Sequence, residues 1–158
     1  MAEAFLQLSA EDRREALDVA ASRSGRPAHL LEKDVWVVWS LSVLFASPLG
    51  AQLVFKGGTS LSKAYRAIRR FSEDVDLTYD IRAIAPDLVG DAEDALPTTR
   101  SAEKRWTSAI RKRLPQWVAE QALPIVSARL RETGVPAEAV AEGEKILVGY
   151  DATATGTG

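Results

Sequence analysis

The residues of this chain whose types and spacing could do chemistry fall into two short runs. They are Phe55-Lys56-Gly57-Gly58-Thr59-Ser60-Leu61-Ser62-Lys63 and Arg70-Phe71-Ser72-Glu73-Asp74-Val75-Asp76-Leu77. In the first, glycines at a turn let backbone N–H groups approach phosphate oxygens without a Cβ in the way. A helix opening at Thr59 or Ser60 would add hydroxyl donors and the partial positive charge of its N-terminus. In the second, Asp74 and Asp76 are separated by one residue. On a strand both side chains leave one face, with Cα atoms roughly 7 Å apart. Such a pair repels unless one carboxyl protonates or a cation bridges the two. Hard oxygen ligands select Mg²⁺ or Mn²⁺. A phosphate cradle and a metal-holding pair one short helix apart suit a nucleoside triphosphate and the transfer of its nucleotide. Bound metal would activate an attacking hydroxyl and stabilise the departing pyrophosphate.

Each run alone has a plainer reading. Gly57-Gly58-Thr59-Ser60 reads first as a tight turn with a helix cap, and an isolated Asp-x-Asp as a solvated strand end. Ser72-Glu73 reads as orienting the pair rather than as a third ligand.

The elements that must position these runs are legible around them. Ser9-Ala10-Glu11-Asp12 opens a capped helix with acidic residues in its first turn, running towards Ser22 and punctuated by Gly25 and Pro27. A second helix from near Pro27 to Phe45 carries Leu30, Leu31, Val35, Val38, Trp39, Val43 and Phe45 at helical spacing, which predicts deep burial. Ser47-Pro48-Leu49-Gly50 is a turn. The spacing then predicts a strand over 53–56, a helix from Thr59 or Ser60 to about Ile68, and a strand over about 74–79. On that strand Val75 and Leu77 face the core. Residues 85–98 read as a loop. Thr99 to Ala122 is a charged helix, kinked or broken at Pro115. Another helix spans Pro124 to Glu132 and ends at Gly134 and Pro136, and Lys145 to Tyr150 is a third strand. The fold class is therefore α/β, a small mixed sheet flanked by helices, which the resemblance drawn below implies to be of nucleotidyltransferase type. Residues 1–150 form the domain, and 151–158 a small, polar tail unable to pack a core.

Composition narrows the function classes. The 158 residues suffice for one domain with a sizeable core. A net charge of -2 advertises no global basic field for nucleic acid, although cations can still cluster locally. The chain has no cysteine, so disulfides and thiolate-bound zinc are excluded. With a single histidine, His29, no histidine-based cluster or triad can exist, and its place near a helix start makes it a surface residue. The N-terminus lacks a signal-peptide core, and Val35 to Ala46 is too short to span a bilayer. The expectation is a cytoplasmic protein with no membrane partner.

Glu32-Lys33-Asp34, the glycine run and the Asp74-Val75-Asp76 run, in that order, resemble the AbiEii/AbiGii-type nucleotidyltransferase toxins of the DNA polymerase β-like superfamily. The resemblance implies a metal-dependent nucleotidyltransferase toxin of a bacterial toxin–antitoxin or abortive-infection system. It would transfer nucleotides from an NTP to an RNA acceptor, tRNA being the foremost candidate, and would be paired with a cognate antitoxin. By the resemblance Asp74 and Asp76 are the catalytic, metal-holding pair for Mg²⁺ or Mn²⁺. Gly57, Gly58, Thr59 and Ser60 bind the nucleotide, with Lys56, Lys63 and Arg70 neutralising phosphate charge.

The chain departs from that pattern in two respects. The superfamily's third carboxylate belongs beyond a strand like Lys145 to Tyr150, where Asp151 is the sole nearby acid, and the family's C-terminal helical half is expected to be truncated. The alternative is therefore a non-catalytic NTP-binding or antitoxin-binding module. Trp36 and Trp39 read as core, and Trp106 and Trp117 as amphipathic packing before base stacking. Arg100, Lys104, Arg105, Arg111, Lys112 and Arg113 concentrate on one helix. There Arg100, Lys104 and Arg111 share a face that is either solvated or apt for tRNA phosphates.

Overall fold

The computed structural model describes residues 2–56, 76–90 and 96–154, with the backbone alone described at 54–56. Three helices open the chain. They are α1 (Ala2–Leu6), α2 (Ala10–Ser24) and α3 (Ala28–Ala46). Ser9 caps α2 as its sequence suggests, its hydroxyl accepting the Asp12 N–H at 3.1 Å. Gly25 ends α2 in the left-handed region at φ 70°, where a side chain would be strained. α3 follows Pro27 and is the spine of the core. Trp39 is fully buried and Trp36 nearly so, their rings meeting edge to face at 5.7 Å.

A 3₁₀ turn over Pro48–Gln52 reverses the chain after α3. Gly50 makes that reversal tight, because a Cβ there would stand 2.1 Å from the Phe45 carbonyl oxygen. The reversal delivers β1 (Leu53–Lys56), which pairs antiparallel with β2 (Asp76–Tyr79). The Asp80 N–H still bonds the Gln52 carbonyl at 2.7 Å, extending the ladder by one rung.

Residues 85–98 were expected as loop. Within them α4 (Pro86–Val89) forms a single turn, and Ile84, Ala85 and Val89 are buried around it. α5 (Arg100–Trp117) is capped by Thr99, whose hydroxyl accepts the Ala102 N–H at 3.0 Å. Pro115 lies inside α5, and its missing N–H leaves the usual i→i−4 bond unmade. The chain answers the expected kink by widening into a π turn over Val118–Ala122, rather than by breaking. α6 (Leu123–Thr133) continues from it and ends at Gly134 with φ 69°.

Lys145–Tyr150, expected as a strand, is β4, and it pairs antiparallel with β3 (Ala137–Glu142) through a turn at Gly143. Ala137, Ala139, Ala141, Ile146, Val148 and Tyr150 face the core, and the residues between them face solvent. The α/β class holds. The strands, expected in one mixed sheet, form two antiparallel pairs among the described residues.

The core joins α1, α3, α6, β1 and the π turn through Leu6, Trp39, Val43, Leu53, Ala122 and Val126, with Leu77 and Tyr79 of β2 packed against it. Beyond β4, in the stretch expected to be a tail, Thr153 and Ala154 are buried. The Glu32 carboxylate accepts their backbone N–H groups at 2.8–3.1 Å. Tyr150 stacks on Trp36 at 4.9 Å just before them.

Candidate functional site

The candidate site is built on the β1–β2 pair. Register sets Leu53 across from Tyr79, Val54 from Thr78, Phe55 from Leu77, and Lys56 from Asp76. The last residue of β1 and the first of β2 therefore stand opposite each other at one end of the ladder. Gly57 follows one of them and Asp74-Val75 precedes the other. Alternation along β2 puts Leu77 and Tyr79 on the core side, as the sequence pattern predicted for Leu77, and Asp76 and Thr78 on the other. Anchoring by Leu77 fixes the direction in which its neighbour Asp76 leaves the strand.

Asp76 is exposed, and among the described residues its carboxylate has no ion pair or hydrogen bond. It is thus a hard oxygen donor with free lone pairs, the donor chemistry a divalent cation prefers. Asp80, four residues on, is engaged elsewhere. Its Oδ1 accepts the Arg82 N–H at 2.9 Å, capping the short 3₁₀ turn Ile81–Ala83, and the two side chains pair at 3.4 Å. Between them the Thr78 hydroxyl is buried with no hydrogen-bond partner among the described residues, a feature no sequence signal announced.

Gly57, Gly58, Thr59, Ser60, Lys63, Arg70 and Asp74 lie outside the described residues, as does the helix expected from Thr59. Lys56 is placed by its backbone, at the end of β1. Asp151 is exposed after β4, which among the described residues pairs with β3 and not with β1 or β2. Among the described residues no three acidic or histidine side chains gather as a metal cluster.

On the core side, Tyr79 lies 6.3 Å from Trp117, ring centre to ring centre. Burial pushes its phenol above the usual tyrosine value, and the Glu144 carboxylate beside it adds to the rise. Trp117 packs into both hydrophobic clusters, and Trp36 and Trp39 are core residues, as expected. His29 is half-buried in the first turn of α3, less exposed than its place near a helix start suggested.

A model of the nucleotidyl transferase AbiEii toxin family, type IV TA system, matches residues 39–158. The chain belongs to the AbiEii family. The match takes in both chemistry-bearing runs and all four strands. It begins after Glu32-Lys33-Asp34 and runs well beyond Leu77, so the AbiEii likeness extends over α5, α6 and the hairpin. No curated protein and no solved structure matches the chain. Membership makes this an AbiEii-type nucleotidyltransferase toxin of a toxin–antitoxin system, a class that draws on a nucleoside triphosphate and a divalent metal. No helix among the described residues is long and apolar enough to cross a membrane.

Proposed function

We propose that the chain transfers a nucleotide from an NTP to the end of an RNA, tRNA being the acceptor class, with Asp74 and Asp76 holding Mg²⁺ or Mn²⁺. The observation that carries this reading is Asp76 itself. It is an exposed carboxylate without a partner among the described residues, set at the first position of a strand whose next residue is anchored in the core. Free carboxylates at strand ends are ordinary. One that stands in register with the lysine preceding the Gly57-Gly58-Thr59-Ser60 run, in a chain of the AbiEii family, is better explained by function.

In this reading Gly57 and Gly58 admit the phosphates, and Thr59 and Ser60 donate hydroxyls to them. Lys56, Lys63 and Arg70 offset the triphosphate charge. Asp76 presents its oxygens from the side of β2 away from the core, the contacts of Leu77 and Tyr79 keep that face from turning, and Asp74 would supply the second carboxylate. Bound divalent metal would lower the pKa of the attacking RNA hydroxyl and neutralise charge on the pyrophosphate as it leaves. The setting is the bacterial cytoplasm, opposed by a cognate antitoxin.

The direct assay mixes the protein with α-³²P-labelled NTPs, tRNA and Mg²⁺. Label should enter the RNA, and Asp76→Ala and Asp74→Ala should each stop it while leaving the fold intact. Undiminished labelling by both variants would overturn the assignment.

A further inference from the structure

The packing of α5 leaves one of its faces exposed. Arg100, Lys104 and Arg111 repeat along one exposed face, with Thr107 and Ser108 between them and Glu103 as the lone acid. Together they line a shallow open groove of about 310 Å³ on the helix surface. From Arg100 to Arg111 the stripe is roughly 16 Å long at 1.5 Å per residue. Among the described residues none of these three cations has a hydrogen bond or ion pair. Arg113, on another side of the same helix, is instead held by Asp87 through two bonds of 2.6 and 3.0 Å. Acid is plentiful in a chain of net charge -2, yet this face sets three cations against the single acid Glu103.

The arrangement also works against the helix that bears it. Arg100 and Lys104 occupy the first turns of α5, where the helix dipole disfavours cations. They stand four residues apart, where like charges repel. A stripe kept for solubility or helix stability would place its charges otherwise.

We propose that this face of α5 binds the phosphodiester backbone of the RNA acceptor, with Arg100, Lys104 and Arg111 each neutralising a phosphate and Thr107 and Ser108 donating to phosphate oxygens. The choice of RNA over another polyanion rests on the nucleotide-transfer reading above. A stripe of cations with hydroxyls and no aromatic among them grips backbone rather than bases, so it holds the acceptor without selecting its sequence.

The test is fluorescence anisotropy with labelled tRNA from 50 to 200 mM salt. Wild type should bind with steep salt dependence. The triple variant Arg100→Gln/Lys104→Gln/Arg111→Gln should bind at least about tenfold more weakly, its slope of log K against log salt flattened by roughly two to three, given about 0.7–0.9 per phosphate contact. A control with the same charge change on exposed residues elsewhere, Arg23→Gln/Arg131→Gln/Lys145→Gln, should bind as wild type does. Arg111→Gln alone should flatten the slope by about one. The melting temperature of the triple variant should hold or rise, because unfavourable charges have been removed. Equal losses in triple and control, no tRNA binding by wild type, or tRNA binding by the triple variant equal to that of wild type would each overturn the proposal. Asp76→Asn separates the two readings. It should abolish transfer and leave tRNA binding untouched, whereas an active Asp76→Asn would sink the metal assignment without touching this surface.

Discussion

Glu32 and Thr153, 121 positions apart, meet through two hydrogen bonds, the backbone N–H of Thr153 lying 2.8 and 3.1 Å from the two carboxylate oxygens. Ala154 adds a third at 2.9 Å, and the Arg14 Nε reaches the Thr153 carbonyl at 3.4 Å. Glu32 is 3% exposed, so its charge is satisfied by backbone amides and not by water. Glu32 thus contributes a structural clasp, holding the chain beyond β4 against α3.

Glu32→Ala leaves two buried N–H groups without an acceptor and should destabilise the protein by about 2–6 kcal/mol, at roughly 1–3 for each orphaned donor. Urea unfolding measures the loss. Amide exchange at Thr153 and Ala154 should accelerate more than exchange in α6. Exchange unchanged at both amides would show that the clasp does not hold in solution.

Gly50→Ala should destabilise by about 1–3 kcal/mol, the usual cost of forcing atoms into a filled space. The added Cβ would meet the Phe45 backbone at 2.1–3.0 Å, and a carbonyl cannot swing aside as a long side chain can. Because this turn sets the start of β1, the amide shifts of β1 and β2 should move together. A variant as stable as wild type, with those shifts in place, would mean the turn is looser than described.

Much of this architecture was legible because short-range rules fixed it. Ser9 and Thr99 cap helices, Gly25 and Gly134 end them, and the apolar spacing from Leu30 to Phe45 gave α3 and its two buried tryptophans. β3 was not legible. Ala137-Glu138-Ala139-Val140-Ala141-Glu142 is built from helix-favouring alanine and glutamate. It becomes a strand because α6 covers its alanine face and β4 pairs with its backbone. Its available signals were the strict alternation and the glycine at 143. Burial of Thr153 and Ala154 was equally hidden, since it depends on a carboxylate more than a hundred residues away. At the candidate site, the Asp-x-Asp spacing led to the exposed carboxylate of Asp76. The unpartnered Thr78 hydroxyl beside it arises from packing alone.

Tyr79 gives a pH-dependent readout. Its phenol titrates above the usual value near 10, chiefly because burial disfavours the anion and secondarily because Glu144 repels it. A raised folded-state pKa contributes stability that is full below pH 10, and that stability is lost as pH climbs through the folded value. Difference absorbance between wild type and Tyr79→Phe should place the ionisation above 10. Glu144→Gln should lower it only part of the way, since burial remains. A phenol titrating at or below 10 would contradict the described packing of β2 against Trp117.

The central claim is that Asp76 serves a divalent metal and a triphosphate together, and calorimetry of ATP binding tests it most directly. The wild-type protein should bind ATP in the presence of Mg²⁺ and lose that binding in EDTA. Asp76→Ala should weaken it at least about tenfold, the factor that 1.4 kcal/mol of lost interaction produces, while melting as wild type does. Equal affinity in Mg²⁺ and EDTA, or in Asp76→Ala and wild type, would contradict the account.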